Sequence, residues 1–250
     1  MLDKVVVVTG AARGIGQRYV VDVVEAGGRA VAADRSSCDE TLALVGANRD
    51  RVAAITVDVT DYASTVAMAT LAVERFGRID GLVNNAALYA TLHGGRFDAI
   101  DEGEWDAAMA VNVKGMWNCC KAVVPAMKAA GGGSIVNISS LAAIYGMPFA
   151  LHYTTSKAAV IGLTRGLARE LGRANIRVNA IAPSAVMTEG TKEFFGEKHE
   201  GALKTIAQGQ SIPRNLETSD VAGTVLWLLS DASRFVTGQT LPVDGGTVFM

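Results

Sequence analysis

Tyr153 and Lys157 lie four residues apart at the start of a helical pattern, so both project from one face toward a common site. That spacing suits proton transfer. A phenol titrates at about 10, too high for an efficient base at neutral pH, and a neighbouring ammonium stabilises the phenolate and lowers that value by about 1–3 pH units. The spacing alone is common on helices and equally describes an ordinary surface or core-edge pair. Its company gives it weight. Ser139 and Ser140 close an apolar run that reads as a strand, offering hydroxyls to a substrate oxygen, and a glycine-rich segment near residue 10 offers an anion cradle.

That segment, Thr9-Gly10-Ala11-Ala12-Arg13-Gly14-Ile15-Gly16, leaves one strand pattern and opens a helix. Free backbone N–H groups and the positive helix end suit a pyrophosphate there. Gly10 would permit the tight turn, Gly14 the close approach of backbone to phosphate, and Gly16 the packing of helix on strand. Glycines at such a turn can also be purely structural. The second strand pattern ends in Asp34, eighteen residues after Gly16, near the distance at which an acidic side chain takes the adenosine ribose hydroxyls of NAD. A carboxylate there repels the 2′-phosphate of NADP, whereas Arg13 and Arg35 attract it; Asp34 is weighted above them, and NAD is the expected cofactor. The alternative is a solvated Asp34 at a strand end. The positive charge of an oxidised nicotinamide would reinforce the pull of Lys157 on the phenol.

The elements that must position these groups alternate along the chain. Short apolar runs predict strands at Val5–Thr9, Ala30–Asp34, Val52–Val57, Gly81–Asn84, Ser134–Ser139, Arg177–Ile181 and Gln239–Val243. Between them, helical spacing predicts helices near Gly14–Ala26, Ser64–Phe76, Glu104–Ala129, Tyr153–Arg173 and Ser219–Ser230. Right-handed crossovers turn this into one α/β domain over residues 1–250, a Rossmann fold with a doubly wound, mostly parallel seven-stranded sheet and helices on both faces. The glycine loop, Ser139-Ser140 and Tyr153 then converge outside the carboxyl edge of the sheet, where such folds bind ligands. The longest stretch read as irregular, Pro183 to Glu217, is long enough for a lid, and residues 184–217 are the expected substrate-loop region.

Acidic and basic residues nearly balance at 25 against 23, so no overall field draws the chain to nucleic acid or anionic lipid, and a small molecule is the expected partner. No apolar stretch reaches membrane-spanning length, and Val5–Val8 is too short for a signal-peptide core; a cytoplasmic protein is expected. The three cysteines include no Cys-x-x-Cys and read as core thiols. His93 and His199 read as solvated, with no third ligand to suggest a metal.

Taken together, Thr9-Gly10-x-x-x-Gly14-x-Gly16, Asp58, Asn84-Asn85-Ala86, Asn112, Ser140, Tyr153-x-x-x-Lys157, Asn179 with Pro183, and Val243-Asp244-Gly245-Gly246 form an ordered series. It resembles that of the classical short-chain dehydrogenase/reductase family over essentially the whole chain. By that resemblance Ser140, rather than Ser139, hydrogen-bonds the substrate oxygen and Tyr153 exchanges its proton. Lys157 grips the nicotinamide ribose and lowers the phenol pKa, and Asn112 holds a water linking Lys157 to solvent. Asn112 could equally cap or kink its helix. The implied cofactor set is Gly10, Arg13, Gly14, Ile15, Gly16, Asp34, Asp58, Val59, Asn85, Ala86, Tyr153, Lys157, Pro183, Val186 and Thr188. Asp58 and Asn84 would lie by adenine and its ribose, or serve as structural caps.

Two positions depart from the family pattern: Ala87 replaces a usual glycine, and Ser184 follows Pro183 where glycine is usual, placing a hydroxyl beside the expected carboxamide and substrate. Pro183-Ser184 and His152-Tyr153 resemble the branch containing NAD-dependent phenylethanol dehydrogenases. This implies secondary alcohols or ketones with an aromatic or bulky apolar side. Ala142, Ile144, Tyr145, His152, Ser184, Val186, Phe194 and Phe195 are the expected pocket residues. The resemblance also implies a homotetramer, with the Thr247-Val248-Phe249-Met250 end at a subunit contact. Hydride transfer between NAD(H) and such substrates is the expected activity. The alternatives are reduction of carrier-bound 3-ketoacyl chains, which would favour NADP and a basic docking patch, and a non-catalytic dinucleotide sensor, which would have a broken Ser140, Tyr153 and Lys157 set.

Overall fold

Apolar runs become the strands of a parallel sheet, buried on both faces at its centre, as in Val5–Thr9, and partly exposed at its edges, as in Val52–Thr56 and Thr240–Val243. In the computed structural model, which describes residues 1–249, these are β1 (Val5–Thr9), β2 (Arg29–Asp34), β3 (Val52–Thr56), β4 (Gly81–Asn84), β5 (Gly133–Ile138), β6 (Ile176–Pro183) and β7 (Thr240–Val243). They form one sheet in the order β3-β2-β1-β4-β5-β6-β7. Every pairing is parallel, so the sheet expected to be mostly parallel is wholly so. The strand order reverses between β1 and β4, which opens a crevice at their carboxyl ends.

Successive residues of β1 point to opposite faces and so enter two cores. Val6 and Val8 pack with α1 (Gly14–Glu25), α2 (Asp39–Val45) and α10 (Thr218–Leu229), through Tyr19, Leu42 and Val225 among others. Val7 packs with α3 (Tyr62–Phe76) and α5 (Met116–Ala129), through Met68, Cys119 and Met127. Cys38, Cys119 and Cys120 are buried free thiols. Among the described residues no helix is long and apolar enough to cross a membrane, and no cluster of side chains suits a metal ion.

Two predicted stretches differ. The expected helix Glu104–Ala129 is divided into α4 (Glu102–Met109), a π-helical turn over Ala110–Gly115, and α5. The turn brings buried Asn112 inward against the Leu88 backbone and seats Gly115 on Val59, where a Cβ would lie 2.6 Å from the valine. The stretch 183–217 is largely ordered as helix: α8 (Glu189–Phe195) is capped by the Thr188 hydroxyl, and α9 (His199–Gln208) follows it. A short α6 (Ala142–Tyr145) precedes α7 (Leu151–Leu171), which carries Tyr153 and Lys157 in its first two turns. The terminal Phe249 is exposed, and Met250, expected with it at a subunit contact, lies outside the described residues.

Candidate active site

The carboxyl ends of the strands, α7 and the α8 region enclose a cleft of about 1120 Å³, large enough for a dinucleotide with a small substrate. Every residue of the expected cofactor set lines it except Gly16. That glycine is buried behind the loop: a Cβ there would stand 2.0 Å from the Gly10 carbonyl oxygen, so its part is the packing of α1 on β1. Gly10 has φ +67°, and a side chain on it would meet the Ala86 backbone at 2.9 Å. No side chain caps the amino end of α1, whose first-turn N–H groups have no intrahelical partner. With Gly10, Gly14 and Ile15 on the cleft wall, this cradle fits a pyrophosphate.

Asp34 is held in place by two backbone donors. The Ala12 N–H reaches one carboxylate oxygen at 3.0 Å and the Ser36 N–H the other at 2.9 Å. Arg13, weighed above as a phosphate-attracting cation, instead donates two hydrogen bonds to Glu193 on α8, at 2.6 and 3.0 Å. Asp58 lines the cleft; its carboxyl pKa is held below the usual carboxylate value first by the Thr60 hydroxyl. Asn84 does not line the cleft: it is buried, and its amide donates to Asn137 Oδ1 at 2.9 Å. Asn85 lines the cleft yet turns its amide onto the Thr9 and Gly10 carbonyls, at 3.0 Å each, bracing the glycine loop from below.

At the other end, Ser140, Tyr153 and Lys157 line the same cleft. Lys157 is buried, its ammonium donates to the Ile138 carbonyl at 2.9 Å, and it stands 5.7 Å from the centre of the Tyr153 ring. Burial pulls Lys157 down to about 8. Burial likewise pushes the Tyr153 phenol up to about 12, opposed by the nearby Ser140 hydroxyl. Desolvation is the largest influence on the phenol, and the Ser140 hydroxyl, not Lys157, is the group that opposes it. The phenol is accordingly protonated at neutral pH and can donate. Ser139 donates to the Lys157 carbonyl at 2.8 Å, tying β5 to α7.

Asn112 is buried on the π-helical turn. Its side chain accepts from the Leu88 N–H at 2.7 Å and donates to the Leu88 carbonyl and the Ser156 hydroxyl, each at 3.0 Å. Both amide hydrogens are engaged by Leu88 and Ser156, so the side chain fixes the loop after β4 to α7.

Of the expected pocket residues, Ala142, Tyr145, Ser184, Val186, Phe194 and Phe195 line the cleft; Ile144 and His152 do not. Successive helix positions differ by about 100°, and His152 is turned into the protein beside Tyr153. Its Nδ1 accepts the Tyr153 N–H at 2.9 Å, and its Nε2 lies 3.8 Å from Glu104. Glu104 also pairs with exposed His93, whose pKa it raises by hydrogen bonding. Two residues at the site escape sequence reasoning: Tyr89, on the cleft wall with its ring 6.1 Å from that of Tyr153, and Glu193, the partner of Arg13 just outside the lining. An aromatic residue two positions after the Asn-Asn-Ala-Ala run was the one local signal for Tyr89.

Comparison with known proteins agrees with this architecture. A family model described as enoyl-(acyl carrier protein) reductase matches residues 10–248. The 3-oxoacyl-(acyl-carrier-protein) reductase FabG of Thermotoga maritima is 38% identical over 247 residues, covering 98% of each chain. The trans-4-hydroxycyclohexanecarboxylate dehydrogenase of Sinomonas cyclohexanicum is 39% identical, over 98% of this chain and 92% of its own. The crystal structure of carveol dehydrogenase from Mycobacterium avium in complex with NAD superposes with a TM-score of 0.92 at 32% identity, over 99% of this chain and 98% of its own. With its glycine loop, wholly parallel sheet and Ser140, Tyr153 and Lys157 on one cleft, the chain belongs to the classical short-chain dehydrogenase/reductase family of oxidoreductases, which bind a nicotinamide dinucleotide.

Proposed function

We propose that the chain is an NAD(H)-dependent oxidoreductase acting on the carbinol or carbonyl carbon of a secondary alcohol or ketone with an apolar or aromatic side. The observation that carries this reading is the meeting of Ser140, Tyr153 and Lys157 with the glycine loop and Asp34 on a single cleft. When bound, the nicotinamide supplies or accepts the hydride. Gly10, Gly14 and Ile15 hold the pyrophosphate, Asp34 the adenosine ribose hydroxyls, and Lys157 the nicotinamide ribose. Ser140 Oγ hydrogen-bonds the substrate oxygen, and Tyr153 Oη gives it a proton in reduction and takes one in oxidation. Burial that keeps the phenol protonated suits the first direction; oxidation relies on the cationic Lys157 to stabilise the phenolate. The same reading makes residues 1–250 one catalytic domain, in a cytoplasmic homotetramer, with residues 184–217 folding over the substrate.

A second reading, reduction of carrier-bound 3-oxoacyl chains, is favoured by the likeness to the Thermotoga maritima protein. Asp34 weighs against its expected NADP preference. One experiment separates the two: secondary alcohols, ketones and an acetoacetyl thioester are assayed with NAD(H) and NADP(H), beside Tyr153→Phe. Turnover of simple ketones with NADH, reduced by roughly 10²–10⁴ in Tyr153→Phe, is the expected result. Full activity in the variant overturns the mechanism, and turnover of the thioester alone with NADPH overturns the substrate class.

A further inference from the structure

Tyr89 lies on the loop between β4 and α4, outside the residues whose roles are given above. Its ring centre stands 6.0 Å from that of Phe194 and 6.1 Å from that of Tyr153, and Tyr153 and Phe194 are 6.3 Å apart. The three planes are mutually tilted by 40–43°. These separations are those of favourable ring pairs. The phenol that meets the reacting oxygen thus has two more aromatic rings at its side, all on the cleft wall.

Tyr89 is also deliberately accommodated. Its hydroxyl is 3.5 Å from Thr188 Oγ1, the hydroxyl that caps α8. Gly190, in the first turn of α8, leaves the space for it: a Cβ there would lie 2.3 Å from the Tyr89 hydroxyl oxygen and 3.0 Å from Cζ. Glycine weakens a helix and lacks any positive φ to justify it at this position. Its reason is room for the tyrosine.

We propose that Tyr89, seated against Gly190 and beside Phe194, is a specificity-determining residue that selects substrates bearing an aryl or cycloalkyl ring over open-chain ones. The inference rests on the secondary-alcohol reading above and deepens it. A substituent on the carbinol carbon beside Tyr153 meets flat, polarisable faces set at angles that accept a further ring edge-on or offset. A rigid ring surrenders less internal freedom in that place than a flexible chain of equal carbon number.

The test uses two eight-carbon methyl ketones, acetophenone and 2-octanone. Dissociation constants are measured by calorimetry on the complex with oxidised NAD, where no turnover follows, and kcat/KM is measured with NADH. The wild-type protein is expected to favour acetophenone by about five- to tenfold in both. Tyr89→Ala should bring the ratio near one, and Tyr89→Phe should keep it. Gly190→Ala, which drives Tyr89 from its seat, should reproduce the loss, and it serves as the test should Tyr89→Ala fail to fold. Equal ratios in wild type and Gly190→Ala, a wild-type preference for 2-octanone, or no binding of either ketone overturns the proposal. Tyr89-dependent binding without turnover of any alcohol or ketone would instead defeat the catalytic reading while leaving this selectivity standing.

Discussion

The guanidinium of Arg13 and the carboxylate of Glu193 form a bidentate ion pair, 2.6 and 3.0 Å long, joining the glycine loop to α8. The hydrogen bond raises the arginine pKa and lowers that of the glutamate, and Asp34 is close enough to raise Arg13 further. The pair is solvent-exposed, so its worth lies in where it commits a cation more than in stability. Held by Glu193, Arg13 is not free for a 2′-phosphate. Glu193→Gln is therefore expected to raise the ratio of kcat/KM for NADP over NAD by about two- to fivefold, the scale of one exposed charge interaction. Adding Asp34→Ser should raise it further by removing the repulsion. A ratio unmoved by Glu193→Gln would mean that Arg13 stands too far from the adenosine ribose to matter.

Lys157 makes stability depend on pH in a direction that can be stated in advance. Its native pKa of about 8 lies below the ordinary 10.5, through burial. Below pH 8 both folded and unfolded chains carry the proton and the native state bears the full desolvation cost. Between about 8 and 10.5 the unfolded chain binds more protons than the folded one, so stability rises with pH. Tyr153 acts oppositely: its native value of about 12 against the ordinary 10.0 makes stability fall once pH exceeds 10. Urea unfolding of the unliganded protein and of Lys157→Met, from pH 7 to 10, isolates the lysine. The stability of wild type relative to the variant should grow by about 2–3 kcal/mol over that range. A difference independent of pH would show that the ammonium is not desolvated as the geometry implies.

The seven strands and the long helices were legible because a buried parallel strand is a continuous apolar run and a surface helix keeps its period. Even so, α8 escaped: it is seven residues long and contains Gly190, too short and too weak for periodicity to register. The amphipathic spacing of Leu203, Ile206 and Ala207 in α9 was there to be read. The residues that meet on the cleft were legible where a local motif encodes them, as for the glycine loop, Asp34, Ser140, Tyr153 and Lys157. Tyr89 and Glu193 were not, since each acquires its role from a partner more than a hundred positions away, Phe194 for one and Arg13 for the other. The orientation of Asn112 depends on the π-helical turn, which no spacing rule anticipates.

His152 shows how a residue adjacent to Tyr153 can support it without lining the cleft. It is fully buried, and its Nδ1 accepts the N–H of Tyr153, one of the first-turn donors of α7 that has no carbonyl four residues back within the helix. His152→Leu would leave that part-buried donor without its partner, at a cost of about 1–3 kcal/mol. For a chain of this size the loss corresponds to a fall in Tm of roughly 2–10 °C. His152→Asn, which can accept the same hydrogen from its side-chain oxygen, should recover part of the loss. Thermal unfolding followed by circular dichroism reads both. If His152→Leu melts with the wild type, or His152→Asn melts lower than His152→Leu, the Nδ1 contact does not hold the amino end of α7. In that case the placement of the Tyr153 backbone rests on packing alone.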